Sequence, residues 1–170
     1  MKRIMALSAV LFLSLFFALV CAADSASIMA GSSANVTKNL KGAWTGNMYI
    51  TGTCGGGFPE VRILNVGKGF STHTGASEFA GELCMNLADG IGMGTAVITA
   101  ANGDAIYLNI TLHSFGLGGP DGTYEETETI TGGTGRFAGA TGEGRSHGSW
   151  IAASDSSFSW DGTTEGTIMY

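Results

Sequence analysis

The chain has 170 residues, one domain's worth, and its 14 acidic side chains outnumber 8 basic ones, for a net charge of −6 at neutral pH. An acidic surface repels polyanions, so nucleic acid and anionic lipid are excluded as partners. The apolar content is concentrated at the start of the chain, so that end is read before any fold.

Lys2 and Arg3 precede an apolar run, Ile4 to Val20, broken only by Ser8 and Ser14, and small residues follow at Cys21, Ala22 and Ala23. Charged start, apolar middle and small-residue end form a cleavable secretory signal over residues 1–23. A membrane anchor would sit at the lower limit of span length, and a lipid anchor on Cys21 would normally want a smaller residue than Val20 before it. Without Lys2 and Arg3 the mature chain carries 6 basic against 14 acidic residues, near −8. The expected location is secreted or periplasmic, with no stable membrane anchor after cleavage. Cys54 and Cys84 then remain as a pair in an exported chain, and a disulfide is expected. No Cys-x-x-Cys spacing supports a redox or metal pair.

Residues 24–40 are small, polar and without period, and read as a flexible leader. Asn35-Val36-Thr37 and Asn109-Ile110-Thr111 fit the N-glycosylation pattern. Residues 41–170 form the single domain. Short segments rich in Thr, Ile, Val and aromatics are punctuated by glycine, and no long stretch keeps a helical period, which predicts an all-β barrel or sandwich.

In chain order, a first strand over about 42–51 places Trp44, Met48 and Ile50 on one face. Val61 to Thr74 follows, with Gly67 and Gly69 expected to bend or bulge it. Phe79, Leu83, Met85 and Leu87 then alternate with Glu78, Glu82 and Asn86, with Cys84 on the polar side. Gly94 to Ala100 and Ala105 to His113 form a hairpin around Asn102-Gly103, read as a type I′ turn. Its second strand is the best patterned, with Ile106, Leu108, Ile110 and Leu112 in one row. Thr123 to Thr131 is polar on both faces. Glu143 to Ala152 and Phe158 to Tyr170 complete about eight strands, with a bulge expected at Asp161-Gly162. The predicted fold is a small closed antiparallel barrel, calycin-like in size, whose closure removes exposed edges.

Between the sixth and seventh strands lies Ile130 to Gly144, ITGGTGRFAGATGEG. Gly132, Gly133, Gly135, Gly139 and Gly142 surround Phe137. Gly133 and Gly135 are expected to supply unusual φ, Phe137 to plug a barrel end, and Ala138-Gly139-Ala140 to allow close backbone packing. A dinucleotide fingerprint is rejected, because Gly139, Gly142 and Gly144 would break the helix it requires.

The GGTGRFAGATG stretch resembles the corner motif of the allene oxide cyclase and dirigent β-barrel superfamily, and is similar to that of small secreted bacterial proteins with an allene-oxide-cyclase-like barrel. Ala101 to Asp104, Thr72-His73 and Gly166 to Ile168 match further elements of that group. The resemblance implies an eight-stranded barrel with an apolar interior, often oligomeric, and a homo-oligomer is an expectation from it. It does not imply catalysis, and no position here aligns with the polar residues that the plant relatives use.

Chemistry is sparse. His73, His113 and His147 sit on separate strands at no ligand spacing. Of these His73, in its Thr-His-Thr-Gly setting, is the first catalytic candidate, and Glu126 the second. Glu125, Glu126 and Glu128 read mainly as a solvated strand face, without the Gly-bent loop calcium wants. No hydrolase elbow or Cys–His pairing is present. No cofactor and no metal is expected. The functional expectation is an exported barrel that binds a small apolar molecule, lined by Trp44, Met48, Phe79, Leu83, Leu108, Ile110 and Trp150, or that serves as a structural or assembly module. The alternatives are a cyclase or isomerase working on an apolar substrate in the barrel, and an eight-stranded outer-membrane barrel.

Overall fold

A computed structural model describes residues 36–170 of the protein. The expected signal segment (1–23) and residues 24–35 of the expected leader lie outside the described residues. Eight strands form a closed barrel in which each pairs antiparallel with its sequence neighbour and the last returns to the first. They are β1 (Thr37–Thr53), β2 (Glu60–Ser71), β3 (Gly75–Asn86), β4 (Ile91–Ala100), β5 (Ala105–Phe115), β6 (Asp121–Gly133), β7 (Thr141–Ser154) and β8 (Ser157–Met169). The all-β, eight-stranded closed barrel expected from the segment pattern is the observed fold. β1 begins at Thr37, so residues 37–40, expected in the leader, belong to the wall, and Leu40 is buried in the core.

Alternation along each strand separates lumen from solvent. In β5, Ile106, Leu108, Ile110 and Leu112 are buried while Tyr107, Asn109, Thr111 and His113 are exposed. Inward glycines have a different purpose from the bends and bulges expected of them. Trp160 lies over Gly46 and Gly67, where an added Cβ would come within 2.8 Å of its ring. Trp44 covers Gly69 at 2.6 Å, and Tyr124 covers Gly148 at 2.8 Å and abuts Gly162. Pairing through Gly67, Gly69 and Asp161-Gly162 runs without a register shift, and the shifts fall at Ile50/Gly52, Tyr107/Leu108 and Ala152/Ser154. A large inward ring lies flat along the wall of a narrow barrel only where the neighbouring strands have no Cβ.

The β4–β5 connection also departs from expectation. Gly103 has φ +88°, but Asn102 does not share a positive φ, so a type I′ turn is not formed. Gly103 N–H donates to Ala100 O at 2.9 Å and Ala100 N–H to Asp104 O at 2.9 Å. This is the three-residue loop with a left-handed glycine at its third position, the alternative hairpin closure for the right-handed twist.

At one end, a single 3-10 turn (Gly135–Phe137) carries Phe137 into the barrel core, where it is fully buried with the Tyr170 ring edge-on to it at 5.0 Å. Gly135 (φ +57°) and Gly139 (φ +76°) bracket the turn. Gly133 has no positive φ and serves instead by space: an added Cβ would lie 2.7 Å from that of Phe137. Thr134 ties the turn to β5, its N–H donating to Ala105 O and its hydroxyl accepting from Ala105 N–H at 2.9 Å. Toward the opposite end, Cys54 after β1 is bonded to Cys84 on β3. The cross-link closes a loop of 30 residues, worth about 3–4 kcal/mol if it acts through chain entropy.

Candidate functional site

The middle of the lumen is polar. β6 alternates, and its inward positions are Tyr124, Glu126, Glu128 and Ile130, all buried. The expectation of a solvated face holds for Glu125 and fails for Glu126 and Glu128, which are 7% and 4% exposed. In a strand polar on both faces the hydrophobic contrast that assigns a face is weak. One signal was present: Tyr124 and Ile130, the strand's only large apolar residues, share the parity of the two glutamates, while the opposite row from Thr123 to Thr131 is Thr apart from Glu125.

The two carboxyls are treated differently by their surroundings. Glu128 accepts hydrogen bonds from Ser146 of β7 and, at 3.4 Å, from Thr164 of β8, and the two hydroxyls lie 2.6 Å apart. Burial holds its pKa above the ordinary carboxyl value, opposed by those two donors. Glu126 has no hydrogen-bonded partner among the described residues. Burial, and then the neighbouring charge of Glu128, pushes it up to about 8. Burial thus favours the protonated carboxyl of Glu126, which can donate as well as accept a hydrogen bond. Tyr124, also raised by burial and then by Glu126, Asp161 and Glu128, stays a phenol.

These groups border a cavity of about 30 Å³, room for about one water. Its apolar wall comes from Trp44, Met48, Phe79, Ile98, Leu112 and Trp160, and its polar wall from Asn65, Tyr124, Glu126, Glu128, Ser146 and Thr164. Two buried polar atoms of these wall residues have no partner: Asn65 Oδ1, an acceptor, and Trp160 Nε1, a donor. Only Trp44 of the twelve is not fully buried. A depression of about 880 Å³ on the outer wall, beside Lys68, Glu78 and Thr99, is far larger but open to solvent. The lumen is the place where buried polar groups converge.

Of the residues named as ligand-lining from sequence, Trp44, Met48 and Phe79 border the cavity. Leu83, Leu108, Ile110 and Trp150 are buried and fill the core, and Trp150 donates from Nε1 to Ser114 Oγ at 3.0 Å. His73 lies outside the lumen near the Phe137 plug. Its Nε2 is 2.8 Å from Asn39 O and its Nδ1 3.3 Å from Tyr170 Oη, while Arg136 donates to its backbone carbonyl. That geometry fastens the C-terminus and the plug loop together. His113 and His147 stand on the outer wall, in register on either side of Glu125. Among the described residues no group of three His, Cys, Asp or Glu is placed to hold a metal ion.

Compared with family models, with curated proteins and with solved structures, the chain finds no match in any of the three.

Proposed function

We propose that this protein is an exported small-molecule-binding barrel whose ligand enters the mid-lumen and uses Glu126 as its polar contact. Glu126 itself carries the proposal. It is buried and has no hydrogen-bonded partner among the described residues, in a cavity with one apolar and one polar wall. Burying such a group costs about 1–3 kcal/mol or more, a cost that a purely structural barrel would avoid with Leu or Met. The cavity admits only a water-sized group, so a larger, mostly apolar ligand requires Trp44, the least buried wall residue, to move. The Cys54–Cys84 bond supports an oxidising compartment. The outward row of β6, Asp121 to Thr131, is exposed and polar, unlike the apolar band of a lipid-facing wall. The corner motif supports kinship with the allene-oxide-cyclase-like barrels through resemblance alone.

The test is native mass spectrometry of protein purified from its source, followed by thermal-shift titration with lipid, pigment and terpenoid probes. A retained mass, or a saturable shift abolished in Glu126→Leu, is the expected result. An empty barrel that binds none of the probes returns the protein to the scaffold reading. A second reading, a cyclase or isomerase, is favoured by the burial of Glu126: a carboxyl whose pKa burial pushes up to about 8 suits general-acid work. In that case Glu126→Gln retains the bound molecule but no longer converts it.

A further inference from the structure

Asn65 Oδ1 on β2 and Trp160 Nε1 on β8 are buried atoms with opposite hydrogen-bonding character, both without partners, and both residues border the same cavity of about 30 Å³. Asn65 is 5% and Trp160 7% exposed, so bulk water does not satisfy them. An orphaned indole N–H asks for an acceptor, and an orphaned amide oxygen asks for a donor. A cation cannot accept from the indole, and a carbonyl or ether cannot donate to the amide. A hydroxyl oxygen does both. The cavity has room for one such oxygen, and Glu126 and Tyr124 border it with further polar groups, so partners for a buried water beyond Asn65 and Trp160 line the same space.

We infer that the lumen contains a built site for a single hydroxyl oxygen, accepting from Trp160 Nε1 and donating to Asn65 Oδ1, filled by water in the free protein and by the hydroxyl group of an alcohol when a ligand is bound. The water half of this inference stands without any ligand. The alcohol half rests on the binding function proposed above and narrows it to a hydroxyl-bearing class. Trp160 also lies over Gly46 and Gly67. The ring is thus packed against the bare backbone of two neighbouring strands.

The experiment uses the folded, disulfide-bonded protein labelled with nitrogen-15. Water-to-indole NMR cross-peaks are recorded at the Trp160 Nε1 proton, with the Trp150 indole, already bonded to Ser114, as internal reference. A long-lived water contact at Trp160 that is lost in Asn65→Leu, while the Trp150 signal stays unchanged, is the expected result. A dry indole in the wild type, or a direct Trp160–Asn65 hydrogen bond in a crystal structure, overturns it. If Asn65→Leu fails to fold, the wild-type water contact and the crystallographic position of the oxygen decide. For the ligand class, methanol and acetonitrile are titrated against the same indole signal. A saturable shift with methanol, at least ten-fold weaker with acetonitrile, supports the hydroxyl requirement, and equal responses overturn it. Failure of the binding function leaves the water contact in place. A dry cavity leaves retained-ligand mass spectrometry free to succeed.

Discussion

Strands β5 and β6 stand side by side in the barrel wall, and they fill the same lumen in opposite ways. β5 contributes Ile106, Leu108, Ile110 and Leu112, an uninterrupted apolar row. β6 contributes Tyr124, Glu126, Glu128 and Ile130, and the register sets Glu128 beside Ile110 and Glu126 beside Leu112. One strand gains stability from an inward apolar row, and the other holds two acids whose ionisation burial disfavours. The difference separates two tasks within one fold: β5 and the Phe137 plug make the barrel cohere, while β6 with Asn65 and Trp160 gives its centre a chemical character.

The contrast is broken most severely from the apolar side. Leu108→Ala removes a side chain that is 2% exposed and is expected to cost about 2–5 kcal/mol in chemical denaturation. Cost near zero would mean that the apolar row does not hold the barrel.

The acidic side is broken by pH. The folded-state pKa of Glu126 is raised to about 8, above an unfolded value near 4.3. Between those values the folded protein keeps a proton that the unfolded chain releases. The contribution is therefore fully present below about pH 4 and is lost as pH rises through 8. Glu128 shifts in the same direction. Urea unfolding at pH 5 and pH 8 is expected to show a stability loss on the order of 3–5 kcal/mol. A flat profile over that window would mean that the carboxyl is already ionised, or solvated, in the barrel.

Making β6 resemble β5 sharpens the same point. Glu126→Leu is expected to remove most of the pH slope and to raise stability at pH 8 by about 1–4 kcal/mol. Glu128→Leu gains less, because it strands the hydroxyls of Ser146 and Thr164 that now donate to the carboxyl. Equal gains at the two positions would erase the distinction between the partnered and the unpartnered acid. The smallest effect tests the space beneath Tyr124. Gly162→Ala would press a methyl against its hydroxyl, at an expected cost of about 1–3 kcal/mol, whereas Gly55→Ala meets open space and is expected to be neutral. Denaturation midpoints of the two variants, measured side by side, check the pair.

Much of this architecture was legible in residues. The row Ile106 to Leu112 declares a half-buried strand, the glycines about Phe137 declare a corner, and Cys54 and Cys84 declare a bond. The glycines at 67, 69 and 162 misled, because they read as bends when their role is to leave room for the rings of Trp160, Trp44 and Tyr124, which lie along the wall over neighbouring strands. The partner that requires each glycine lies on a different strand, and nothing in the local sequence names it. His73 attracted attention through its neighbours, and the structure places it outside the lumen, beside Tyr170 and Asn39.

The sequence by itself determined the strands, their alternation, the disulfide and the plug, since each follows from local periodicity, backbone freedom or composition. Only closure of the barrel decided that Glu126 and Glu128 face inward, that Asn65 and Trp160 border the same cavity with unpaired atoms, and that the remaining space is water-sized. A side chain on a strand has two possible faces, and its chemistry depends on which face the other seven strands enclose.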